Sequence, residues 1–88
     1  MPYLREKQRR EQLDSGGGAD NGAELNYQFC RMAEAYLDRF GLTYANINEV
    51  VGALECAKLE ITRRIIAPYE DSKIAENGDV FHQVVAGL

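Results

Sequence analysis

The chain has 88 residues, 14 acidic and 10 basic, with a net charge of −4, a sequence pI near 4.9 and two cysteines. That is one small domain, and a chain so short buries only about 60–65% of its unfolded surface. The acidic balance argues against generic nucleic-acid binding, which depends on neutralising phosphates. Cys30 and Cys56 lack the density of a disulfide scaffold and, with the lone His82, cannot complete a four-ligand zinc set. Residues 1–13 carry Arg5, Lys7, Arg9 and Arg10 against Glu6 and Glu11, a local +2, which leaves −6 for the remainder.

No apolar signal core follows the start, and no run approaches the ~18 apolar residues of a membrane span, so a cytoplasmic protein without membrane contact is expected. A fold this small gains from self-association, and a homo-oligomer is expected on that ground.

In chain order, Leu4, Arg5, Glu6, Lys7, Gln8, Arg9 and Arg10 favour a helix, and Pro2 is acceptable at its start. Residues 1–13 therefore read as a basic N-terminal helix, narrow in apolar content, that is either peripheral or a docking arm. Residues 14–22 hold four glycines and read as a flexible linker, because no strand precedes them and no Gly-Lys-Ser/Thr follows. Residues 23–88 read as a helical core domain.

A second helix opens at Asn21, with Glu24 at capping-box spacing. Leu25, Phe29, Met32, Ala33, Tyr36, Leu37 and Phe40 recur at three and four residues, marking a core face, and Gly41 suits a left-handed stop. A third helix is expected to be capped by Asn46 with Glu49 as reciprocal partner. Its core stripe is Ile47, Val50, Val51, Leu54, Ala57, Ile61 and Ile65, and it should pack antiparallel to the second. Gly52, Ala53, Cys56 and Ala57 form a small-residue stripe fit for close approach of another helix. Pro68 should break or bend the chain near Ala67 and start a short fourth helix, ended by Asn77-Gly78. The conformation of residues 79–88 is open. The expected fold is all-α: three main helices plus a short fourth after Pro68.

The stretch Gly41-Leu42-Thr43-Tyr44-Ala45-Asn46-Ile47-Asn48-Glu49-Val50-Val51-Gly52-Ala53-Leu54-Glu55-Cys56-Ala57-Lys58-Leu59-Glu60 carries a resemblance. With Glu24-Leu25-Asn26-Tyr27, Arg63-Arg64, Pro68-Tyr69-Glu70-Asp71 and Glu76-Asn77-Gly78-Asp79-Val80, it resembles a family of small phage- and prophage-encoded proteins of unknown function. The resemblance covers residues 24–80. It implies a viral or prophage origin and an accessory role, with no activity, cofactor or catalytic residue attached.

Candidate chemistry is sparse. Cys30 and Cys56 lie on small or apolar faces, where thiols act as buried hydrophobes. Glu76 and Asp79 have one spacing used by Mg²⁺-dependent helical nucleotide pyrophosphohydrolases, but no Glu-x-x-Glu accompanies them, and Asn77-Gly78 would splay the pair. With Glu55 and Glu60 they make a third-choice hydrolase reading. The densest polar region is Glu55, Lys58, Glu60, Arg63 and Arg64, then Tyr69, Glu70 and Asp71. It reads either as a solvated face of weak ion pairs or as a binding site. In the second case Arg63 and Arg64 would grip a carboxylate or phosphate, and Tyr69 would fill a partner's pocket. The first functional expectation is a non-enzymatic accessory protein, without cofactor or metal, that binds a host protein in the host cytoplasm. The second is a protein that sequesters an anionic nucleotide through Lys58, Arg63 and Arg64.

Overall fold

The computed structural model describes residues 3–81 and is all-α there: α1 Lys7–Asp14, α2 Gly22–Phe40, α3 Tyr44–Ile61, a π turn Thr62–Ile66 and α4 Ala67–Asn77. The chain divides into two compact units, Met1–Val51 and Gly52–Leu88. The division falls inside α3 and not at the glycine-rich segment.

In the first unit, α1 begins later than its helix-forming residues suggest. Leu4, Arg5 and Glu6 are non-helical, and Pro2, the expected opener, lies outside the described residues. Arg10 Nη1 donates to Leu4 O at 2.9 Å, holding this entry against the helix. The glycine-rich segment is more than a spacer. Gly17 N–H donates back to Gln12 O at 2.9 Å, Gln28 Nε2 donates to Gly17 O at 2.7 Å, and Arg9 Nη2 donates to Gly18 O at 2.9 Å. A Cβ on Gly17 would stand 2.8 Å from Gln12 O, so the close return of the chain requires glycine there.

At the start of α2, Asn21 Oδ1 accepts from Glu24 N–H at 2.9 Å, as the spacing predicts. The reciprocal half differs: the Glu24 carboxylate accepts from Asp20 N–H, one residue before the cap. Gly41 ends the helix at φ 107°, and its N–H donates to Leu37 O.

The cap of α3 is a correction. The helix starts at Tyr44, and Thr43 caps it, its Oγ1 accepting from Asn46 N–H at 3.1 Å. Asn46 is already inside the helix. Its Nδ2 donates to Phe40 O at 3.0 Å and Gly41 O at 2.9 Å, so it satisfies the carbonyls that end α2. Both residues are good caps, and the earlier one wins because Asn46 is taken by the preceding helix.

Pro68 does not break the helix. The backbone widens into the π turn ahead of it, with Ala67 N–H donating to Thr62 O five residues back, and the helical path continues into α4. Proline lacks the N–H for a four-residue bond, and the wider turn absorbs that loss without an exit from the helix. Thr62 Oγ1 also donates to Lys58 O at 2.8 Å.

The expected core stripes are a second correction. Leu25, Phe29, Met32, Tyr36 and Phe40 are exposed, as are Val51, Leu54, Ala57, Ile61 and Ile65, while Ile47 and Val50 are half-buried. Cys30 and Cys56 are exposed free thiols rather than core residues. Periodicity reports that a helix has an apolar face; it does not report what covers that face. Among the described residues, the one buried hydrophobic is Leu13 of α1.

Candidate functional site

The polar residues singled out in the sequence are spread along one helical path. Lys58 pairs with Glu55 at 3.7 Å, and Arg63 pairs with Glu60 at 3.3 Å, both between neighbours three residues apart. Lys73 reaches Glu76 at 3.2 Å and lies 5.5 Å from the centre of the Tyr69 ring. Exposed pairs of this kind contribute only a few tenths of a kcal/mol each. Arg63 and Arg64 are adjacent in sequence, so they project about 100° apart and do not make one forked grip. Glu70 and Asp71 diverge by the same angle. The geometry of these seven residues is that of a solvated surface rather than a convergent pocket.

The carboxylates of the hydrolase reading are likewise not gathered. Among the described residues no group of three His, Cys, Asp or Glu side chains is placed to hold a metal ion. His82 lies outside the described residues. No described helix is long and apolar enough to cross a membrane.

The organised polar cluster lies in the first unit. Arg9 donates from Nε to Glu24 Oε2 at 2.8 Å and from Nη2 to Oε1 at 2.5 Å, a forked pair across fifteen residues of sequence. Nη2 also meets Asp20 Oδ2 at 3.2 Å. Glu24 is only 9% exposed, and its carboxyl is held down at about 2, first by the Arg9 hydrogen bond and then by Asp20 N–H. A second stitch lies further along α2. Asp14 accepts from Tyr27 OH at 3.0 Å and from Arg31 Nε at 3.2 Å, and Arg31 also pairs with Glu34. Partial burial and then the Asp14 hydrogen bond raise the Tyr27 hydroxyl; Asp14 likewise raises Arg31.

Glu24, Tyr27, Gln28 and Arg31 share the side of α2 turned to α1 and the loop. α2 is thus held by its polar side, and the stripe Leu25, Phe29, Met32, Tyr36, Phe40 on the other side stands open. Tyr36 and Phe40 stack with ring centres 4.9 Å apart, and Arg39 lies 5.0 Å from the Phe40 ring centre. Sequence reasoning found this stripe but assigned it to a core. It missed the clamp, whose one visible sign was the Asn21-x-x-Glu24 spacing close behind a basic segment.

The model of a family described as a domain of unknown function, DUF6899, matches residues 1–80. The chain belongs to this family. The match includes the clamp residues of the DUF6899 unit, its open α2 stripe and the whole helical path through α4. No curated protein and no solved structure matches the chain.

Proposed function

We propose that this chain is a non-enzymatic accessory protein of phage or prophage origin that works in the host cytoplasm by binding a host protein. The resemblance noted in the sequence supports the origin. The observation that carries the binding role is the open stripe of α2, where Phe29 is 45%, Met32 73% and Phe40 54% exposed on a helix whose other side is fixed. Large aromatic and methionine side chains are enriched at protein interfaces, where a few of them supply most of the affinity. A helix clamped in place also loses little further freedom on binding. The likely rival of weaker geometric support, an anion held by Lys58, Arg63 and Arg64, has no convergent donors behind it.

The test is affinity capture from host lysate, followed by reconstitution with the purified partner. Phe29→Asp and Phe40→Asp should each weaken that purified complex by roughly thirtyfold or more, as loss of an anchoring aromatic does. Undiminished binding by both variants, or a purified protein that instead binds a nucleotide tightly, would remove this reading.

A further inference from the structure

The second unit carries its own uncovered face, formed by residues that the α2 stripe does not include. Leu54, Ile61, Ile65 and Tyr69 are 47%, 48%, 63% and 62% exposed. Taking ~100° per α residue and ~85° per π residue, they fall within about 40° of one another round the helix. The π turn matters here: the four-residue steps from Ile61 to Ile65 to Tyr69 would drift sideways in a regular α-helix, and the wider turn brings them back into line.

Beside that line, on one edge, are Glu55, Lys58, Glu70 and Lys73, between roughly 20° and 100° from Leu54 on the same count. Their order has a symmetry. Lys58 and Glu70 lie six residues either side of Arg64, and Glu55 and Lys73 lie nine residues either side of it. Each symmetric pair is of opposite charge. The π turn Thr62–Ile66 is itself centred on Arg64, so its altered rise is shared equally between the two halves.

We propose that a second copy of this chain covers this face, as an antiparallel helix pair whose two-fold axis passes at the level of Arg64. A two-fold axis perpendicular to the helices sets the same edge of both copies side by side, so one contact meets its own mirror. Lys58 then lies opposite Glu70 of the other copy and Glu55 opposite Lys73, each twice. Leu54, Ile61, Ile65 and Tyr69 of both copies fill the seam. Arg64 projects about 100° round from Ile65, so its two copies extend into solvent beside the seam. In a parallel pair this edge would meet the opposite edge, and the charge match would be lost. The present Glu55–Lys58 and Lys73–Glu76 pairs are exposed and weak, so re-pairing across the dimer costs little.

Sedimentation equilibrium of the full chain tests the arrangement, with helicity of every variant checked by circular dichroism. Wild type should sediment as a dimer at micromolar concentration. Lys58→Glu and Glu70→Lys each turn two attractive contacts per dimer repulsive and should each raise the dissociation constant about tenfold. The double variant Lys58→Glu/Glu70→Lys restores both contacts and should return to within about threefold of wild type. Phe29→Asp, in the stripe assigned to the host partner, should leave the dimer unchanged, which separates the two surfaces. A monomeric wild type, a double variant weaker than either single one, or a dimer abolished by Phe29→Asp would each overturn the proposal.

Discussion

Arg9 and Glu24 face each other through two parallel hydrogen bonds, 2.8 and 2.5 Å long, joining α1 to the first turn of α2. The carboxylate also takes Asp20 N–H, so one side chain holds a helix, a loop and the start of a second helix together. Its charge at the positive end of α2 is favourable in its own right.

That relationship fixes the acid behaviour of the first unit. Glu24 titrates near 2 in the folded chain against an ordinary 4.5, so its carboxylate stabilises the fold in full above about 4.5. The stabilisation declines as pH falls from 4.5 toward 2. Melting curves should show this loss in wild type, and Glu24→Gln should be less stable at neutral pH but lack that part of the acid dependence. An equal acid slope in both proteins would contradict it.

The α2–α3 connection is predicted to rest on Thr43 and Asn46. Thr43→Ala removes the cap oxygen and should cost about 1 kcal/mol in denaturant unfolding. Asn46→Leu leaves Phe40 O and Gly41 O without their donor and should cost a similar amount or more.

Both thiols should react readily in the native protein. Cys30 and Cys56 are exposed, so labelling by a maleimide without denaturant should approach the rate of an unstructured peptide, subject to the thiolate fraction. Slow labelling at Cys56 alone would place that residue under a partner.

Gly52 sits in the exposed interior of α3, and nothing lies within 4 Å of a Cβ built there. Gly52→Ala should therefore stabilise the helix by about 0.5–1 kcal/mol, measured as helicity and unfolding midpoint. A loss of self-association in this variant would instead place a close helix contact on the Gly52–Ala53–Cys56 side.

The local features were legible in the sequence wherever a residue type has few alternatives. Asn21 as a cap, Gly41 as a stop and Asn77-Gly78 as an end each rest on backbone chemistry that acts within one turn. Thr43 and Asn46 show where this fails: both are competent caps, and the choice depended on carbonyls of the previous helix. Pro68 was read as a break because its missing N–H was weighed, and the option of a wider turn was not. The stripes on α2 and α3 were found correctly as faces and then taken as core, since one sequence does not distinguish an internal surface from an external one. The polar run from Glu55 to Asp71 looked like a site because its members are close in sequence, whereas helical geometry disperses neighbours round the axis. The clamp escaped notice because it needs the glycine-rich segment to fold back, and Gly17 permits that through contacts no spacing rule encodes.

The π turn has a consequence for how this chain can change over generations. A wide turn is one residue more than a regular turn, inserted into a helix that continues on both sides. Deleting any single residue between Thr62 and Ile66 would leave the helix intact, yet rotate everything after it by about a quarter turn. Tyr69, Glu70 and Lys73 would then present to a different side, with no change in their own identity. The segment acts as a phase setting between two halves of a rod. Length variation should accordingly be tolerated in neither half of that rod, however freely its exposed side chains are exchanged.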